Sequence, residues 1–155
     1  MKKIVVLVVM MTLMLQGAAA QTVESLINTF STEKGVEKTH VGKAMMRLGA
    51  VFLKNKEANL SHIAKGINSV LVLDLDDCSK DVKQRFAAAV DSLNDNAYTS
   101  VLETNDSDDH VRILGKPDGN DLRDVVIISI DNDDCTLVRL EGKVKGKDVK
   151  KLIDD

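Results

Sequence analysis

Apolar residues in the first part of the chain recur at the spacing of helices. Residues three or four positions apart share a helix face, so such recurrence predicts amphipathic helices with one buried side. Helices are predicted at Thr22–Phe30, Lys43–Leu53, Asn59–Ala64, Asp81–Asn94 and Gly146–Ile153. Ser79 is the expected N-cap of the fourth helix, and Gly66 is the expected C-cap of the third.

The second half of the chain alternates apolar and polar residues with the period of strands. Four strands are predicted there, at Tyr98–Glu103, Val111–Leu114, Val125–Ile130 and Thr136–Lys143, and two more in the first half, at Val36–Val41 and Ser69–Leu75. Short polar turns, at Asn105–Asp109, Lys116–Asn120 and Asp131–Asp134, join the last four strands. Consecutive strands joined by short turns indicate an antiparallel four-strand meander.

The order of these elements predicts the fold class. Helices concentrate early and strands late, which indicates an α+β fold with one mainly antiparallel sheet and helices packed on one face. No linker divides residues 21–155, and a chain of this length fits a single domain.

The first twenty residues have the pattern of a cleaved export signal. Lys2 and Lys3 precede an apolar run, Ile4–Leu15, and three alanines follow at positions 18–20. A membrane-spanning helix needs about 20 apolar residues, and this run is shorter. No lipoprotein cysteine lies near the cleavage position, and no later segment is apolar enough to be a transmembrane anchor. The sequence therefore predicts a periplasmic or secreted protein that is soluble after cleavage at residue 20.

Charge and aromatic content narrow the classes of partner. The formal charge is −3, and it becomes −5 without the two lysines of residues 1–20. This negative charge argues against nucleic acids and anionic membranes as partners, because proteins that bind them usually carry clusters of Lys and Arg. The chain has three Phe, one Tyr and no Trp, which counts against aromatic binding platforms.

Cys78 and Cys135 form a candidate disulfide. An even pair in an oxidising compartment favours a bond, and two buried thiols are the alternative. The cysteines follow similar segments, L-D-L-D-D-C and I-D-N-D-D-C. Adjacent strands would bring the two together.

The sequence nominates no catalytic, cofactor-binding or metal-binding residue. The acidic clusters, at positions 74–77, 106–109 and 131–134, do not match the calcium-loop pattern and are typical of turns. His40, His62 and His110 lack partners at metal-ligand spacing. Serine-nucleophile motifs and glycine-rich phosphate loops are absent from the sequence.

Three segments resemble a family of small exported Bacteroidetes proteins of unknown function, named DUF4252. They are residues 36–48, which pass from a short strand to a Met-containing segment, residues 67–73, and residues 124–144, which include L-V-R-L-E-G-K-V. The resemblance implies an exported α+β domain and supplies no catalytic residues. Some relatives look like lipoproteins, whereas this chain lacks the anchoring cysteine.

These observations favour an exported, non-enzymatic domain that binds an envelope or secreted protein. That hypothesis predicts an exposed apolar patch or an unpaired sheet edge. One alternative is a small-ligand-binding module with an apolar pocket between the sheet and Lys43–Leu53. The other is a hydrolase that pairs a histidine with an aspartate.

Overall fold

The protein is built on a six-stranded antiparallel sheet, seen in a computed structural model that describes residues 21–42 and 65–154, with side chains as far as residue 150. The described elements, in chain order, are α1 (Val23–Phe30), β1 (Glu37–Val41), β2 (Ile67–Asp74), α2 (Lys80–Asp91), β3 (Thr99–Asn105), β4 (His110–Asp118), β5 (Asp121–Ile130), β6 (Cys135–Val144) and α3 (Gly146–Asp154). The α+β class and the antiparallel sheet are confirmed.

The strands lie in the order β1-β2-β6-β5-β4-β3. Each of β3, β4 and β5 pairs with the strand that follows it in the chain. β6 then pairs with β2, which came much earlier, and β1 adds to the other side of β2. β6 and β5 therefore occupy the middle of the described sheet, and β2 lies between β6 and its edge strand β1.

Helices α1 and α2 cover one face of the sheet. Alternate residues of β2, beginning at Leu71, point into this layer and are buried. Phe30 of α1 and Phe86 of α2 meet there edge to face, with ring centroids 5.1 Å apart. Burying apolar surface is the main favourable term in folding, so this layer is the principal core.

The third helix contributes to a different cluster. Val149 of α3 packs with Ile67, Val125 and Val144, next to side chains such as Leu140 that face away from α1 and α2. The expectation that the helices share one face therefore holds for α1 and α2 and is wrong for α3. Only Lys145 separates β6 from α3, and one residue is too short to carry the chain around the sheet.

The observed helices start where the sequence predicts, whereas α2 ends earlier than predicted. The hydroxyl of Thr22 accepts a hydrogen bond from Ser25 N, and that of Ser79 accepts one from Val82 N. α2 ends at Asp91 rather than at Asn94. Beyond it, Asn94 N donates to the carbonyl of Gln21 at 2.9 Å, so the chain leaves the helix to pair with the residue that precedes α1.

Strand β4 is longer than predicted, since it continues through Pro117, which the sequence pattern predicts to lie in a turn. The turn expected at Lys116–Asn120 is reduced to Gly119 and Asn120, and Pro117 pairs with Leu122 of β5. β3 begins at Thr99 opposite Gly115, so Pro117 lies beyond the reach of β3. Proline is tolerated at such a position because no neighbouring strand requires its missing N–H.

Several predictions fall outside the described ranges. The export signal in residues 1–20, the helices at Lys43–Leu53 and Asn59–Ala64, and His62 all lie there. Within the described ranges, no helix combines the length and the apolar character needed to cross a bilayer.

Candidate functional site

A half-open polar cleft lies beside the start of α1, on the face of the sheet that α1 and α2 cover. Its volume is about 480 Å³. It is lined by Glu24, Asp95, Ala97, Tyr98, Lys116, Asp124, Arg139 and Glu141. Four carboxylates face two cationic groups, so the formal charge of the lining is −2.

Arg139 is the central charged group of the cleft. It alternates with Leu137 along β6 and pairs with Leu71 and Val126, so it points toward the helix layer. Its guanidinium lies 2.6 Å from Glu24 of α1 and 2.9 Å from Glu141. The Arg139 side chain is only 16% exposed, and a charge that is this buried requires such partners.

A second ion pair, between Lys116 and Asp124, also lines the cleft. Asp124 Oδ2 lies 3.5 Å from Lys116 Nζ, and Asp124 Oδ1 accepts a hydrogen bond from Gly142 N at 3.2 Å. The ammonium of Lys116 lies 5.2 Å from the centroid of the Tyr98 ring, within cation–π range. The strand pairing is irregular next to Asp124 in both the β4–β5 and the β5–β6 ladders. Bulges of this kind redirect side chains and are common next to functional sites.

Asp95 and Tyr98 complete the lining. Asp95 Oδ2 accepts from Val23 N, which ties the loop after α2 to the first turn of α1. Burial raises the pKa of Tyr98 to about 12, and the nearby carboxylate of Asp124 contributes to the increase. The Tyr98 phenol is therefore protonated at neutral pH, and its O–H is available to donate a hydrogen bond.

The cleft suits a cationic or hydrogen-bonding group better than a metal ion. Its carboxylates are distributed around the lining and are engaged with arginine, lysine or backbone N–H groups. Within the described residues, no three side chains of His, Cys, Asp or Glu are grouped closely enough to hold a metal.

Comparison with known families identifies the chain. The family model for a domain of unknown function, DUF4252, matches residues 30–152. The chain belongs to the DUF4252 family. Comparison with curated proteins and with solved structures gave no match. The family description assigns no activity, so functional inference for this DUF4252 domain starts from the side chains themselves.

The candidate disulfide residues lie near one another in the DUF4252 domain, as free thiols. Cys78 and Cys135 are buried in the principal core. They are brought together by β6, which begins at Cys135 and pairs with β2. Burial raises the pKa of both thiols, that of Cys135 to about 12, so both are protonated at neutral pH.

The acidic clusters form turns and strand ends. Asp131 Oδ1 accepts hydrogen bonds from the backbone N–H groups of Asp133 and Asp134, which lowers the pKa of Asp131. Asp76 Oδ1 accepts from Cys135 N at 2.7 Å. These contacts match the turn-forming role of aspartate.

The described histidines do not come together. His40 is exposed on β1 at one end of the sheet, while His110 lies on β4 beside the other end, with β2, β6 and β5 between them. A site that combined His40 with His110 is therefore excluded by their placement.

Sequence reasoning missed the cleft, although one signal was present. Arg139 and Glu141 fall in the L-V-R-L-E-G-K-V segment, whose pattern predicts a strand and carries the family resemblance. They occupy the same alternation as Leu137, whose side chain is fully buried. Two charges on the core-facing side of a central strand indicate a polar site between that strand and its covering layer.

Proposed function

We propose that this DUF4252 domain is an exported, non-enzymatic domain that binds another protein, and that its cleft receives a basic side chain of that partner. The observation that supports this proposal is the excess of carboxylates in the cleft, four against two cationic groups. A lysine or arginine from a partner would compensate this excess and replace water around Glu24 and Asp124.

The form of the cleft supports a protein partner. It is half-open, so a side chain that projects from a larger surface can enter without any opening of the fold. β3 begins at Thr99, directly after Tyr98, and is the last strand of the described sheet. A partner segment that extended along the exposed side of β3 would lead to the cleft, and strand addition to a sheet edge is a common recognition mode.

Charge favours a basic partner at longer range as well. The chain without residues 1–20 carries a formal charge of −5, which would accelerate association with a basic protein at low ionic strength. Export to the periplasm or the exterior, through the leader at residues 1–20, is part of the proposal. So is an origin among the Bacteroidetes.

The kinds of side chain in the cleft support the non-enzymatic part of the proposal. Arg139 and Lys116 are held in ion pairs with the cleft carboxylates, and the raised pKa of Tyr98, about 12, keeps its phenol protonated at neutral pH. This set can bind and orient a charged group, but it contains no activated nucleophile.

A pull-down with two matched variants tests the proposal. Asp124→Asn removes one cleft carboxylate but keeps the oxygen that accepts from Gly142 N, and asparagine tolerates the positive φ of 51° at this position. Asp108→Asn makes the same charge change in an exposed turn and serves as the control. Each variant and the native protein would be used to capture proteins from an extract of the cell envelope.

The expected result is a partner that the native protein and Asp108→Asn retain and that Asp124→Asn binds about tenfold more weakly, the effect of losing one charge-assisted hydrogen bond. Binding should also weaken as salt is raised. A partner retained equally by both variants would show that the cleft does not bind it.

A small-ligand-binding role is the second candidate, and the volume of the cleft favours it. About 480 Å³ falls within the range of small-molecule pockets, about 300–1,000 Å³. The apolar pocket expected beside Lys43–Leu53 lies outside the described residues, and this cleft is polar. Titration with arginine or spermidine, followed by amide NMR shifts at Tyr98 and Arg139, would favour this role if saturation occurred at micromolar concentration.

A further inference from the structure

We propose that Cys78 and Cys135 form an intramolecular disulfide when the protein folds in an oxidising environment. The inference concerns a covalent link inside the principal core and does not depend on the proposed function. It rests on the way both cysteines are held around one residue, Leu75.

Leu75 hydrogen-bonds to both cysteines through its backbone. Leu75 N donates to the carbonyl of Cys135 at 2.8 Å, and the carbonyl of Leu75 accepts from Cys78 N at 3.0 Å. The first bond extends the β2–β6 pairing one residue beyond Asp74, so that Leu75 lies opposite Cys135. The second closes a four-residue turn, in which the Cα atoms of the end residues lie within about 7 Å.

The side chain of Asp76 makes this arrangement stable. In a regular antiparallel pair, the carbonyl of Leu75 would accept from Cys135 N. Here Cys135 N donates to Asp76 Oδ1 instead, at 2.7 Å, and the carbonyl of Leu75 is left for Cys78. The turn therefore folds Cys78 back toward the first residue of β6.

The two side chains share one environment. Both are buried in the principal core, and each is among the residues that pack between the sheet and α2. Gly35 also packs against this turn: a Cβ atom at Gly35 would lie 3.2 Å from the Cα of Cys78. The backbone at Cys78 is thus packed closely against the loop that joins α1 to β1.

The reaction is a thiol–disulfide exchange with a low-molecular-weight disulfide such as oxidised glutathione. The S–S bond of glutathione disulfide breaks, and its two sulfurs leave as two glutathione thiols that take up two electrons and two protons. The Cys78 and Cys135 thiols lose the same electrons and protons, and a Cys78–Cys135 bond forms. Burial raises the pKa of both thiols, so exchange is fast only while the core is open, during folding.

The test compares bond formation in the folded and unfolded full-length protein. Reduced protein would be equilibrated with defined mixtures of reduced and oxidised glutathione, in buffer and in concentrated guanidinium chloride. Acid quenching, alkylation and mass spectrometry of peptides would then give the fraction of Cys78–Cys135 bond at each ratio.

The cysteines lie 57 positions apart, and closing such a loop predicts that the bond is favoured about 1,000-fold more in buffer than in denaturant. A ratio near one, or alkylation of both cysteines in buffer at every glutathione ratio, would overturn the proposal. A bond found only between two molecules, detected on non-reducing gels, would also overturn it. Cys78→Ala should remove the intramolecular product while leaving Cys135 buried and unreactive.

Discussion

Individual residues show how this domain tolerates charge between its layers. Arg139 is mostly buried, yet it contacts carboxylates on two different elements, Glu24 of α1 and Glu141 of β6. Glu141 also accepts from the hydroxyl of Ser69 at 2.6 Å, so the network extends into β2. A network of this kind links α1 to β6 and β2, and it converts a core-facing position into part of a polar cleft.

Replacing Arg139 by methionine should destabilise the protein by about 1–3 kcal/mol, because Glu141 loses a charge-assisted partner in a partly buried position. Arg123→Met is the matched control. Arg123 is 61% exposed and its ion pair with Asp118 spans 3.5 Å, so its loss should cost at most about 1 kcal/mol. Urea unfolding of both variants measures the difference. Equal costs would show that the Arg139 network adds nothing to stability.

At the scale of elements, the features that depend on nearby residues could be predicted from the sequence. The start of α1 at Thr22, the N-cap Ser79, and the strands β2, β5 and β6 follow from apolar periodicity and from side chains that bond their own backbone. The misplaced features depend on distant partners. α2 ends early because Asn94 bonds to Gln21, and Pro117 lies in a strand because β3 stops short of it. The cleft was missed for the same reason, since it joins α1, the loop after α2, and three strands.

The close approach of β2 and β6 gives a prediction at this scale. Gly142 has a φ of +133°, and a Cβ atom there would lie 2.3 Å from the carbonyl oxygen of Gly66. Gly142→Ala therefore adds a backbone clash to an unfavourable φ, and it should cost more than about 2 kcal/mol. Gly119→Ala is the control, because its φ is +61° and nothing lies within 4 Å of the added atom.

Alanine at position 119 should cost only about 1–2 kcal/mol, the usual penalty of the left-handed conformation. The difference between the urea unfolding midpoints of the two variants would separate the cost of the positive φ, which both share, from the cost of the clash with Gly66, which only Gly142→Ala has. If Gly142→Ala were no more destabilising than Gly119→Ala, then β2 and β6 would have room to separate, and the tight register at Gly142 would not be required.

At the scale of the whole molecule, the cleft and the two cysteines border the same core, although their residues lie far apart in the sequence. The cleft lies beside the start of α1, whereas the cysteines lie where β2 passes into α2, and both regions border the same core. Any change that opens this core should therefore affect both. Alkaline pH is such a change, because Tyr98 in the cleft and Cys135 in the core both have raised pKa values.

The sign of the pH effect follows from proton binding. The pKa of Cys135 rises from 9.0 to about 12, and that of Tyr98 from 10.0 to about 12. Between these values the unfolded chain has released protons that the folded protein keeps, so stability is full below pH 9 and falls progressively toward pH 12. Urea unfolding of the reduced protein between pH 8 and pH 11 should show this decline.

Two variants separate the contributions to the alkaline decline. Replacing both Cys78 and Cys135 by alanine removes both thiols with a raised pKa, so the loss of stability should begin about one pH unit higher, where the Tyr98 phenol starts to ionise in the unfolded chain. Tyr98→Phe should leave the decline that begins near pH 9. Formation of the Cys78–Cys135 bond also removes both titrating thiols, so the oxidised protein should match the double alanine variant in its pH dependence while being more stable at every pH. An oxidised protein that kept the decline from pH 9 would show that burial of the Cys135 thiol is not its cause.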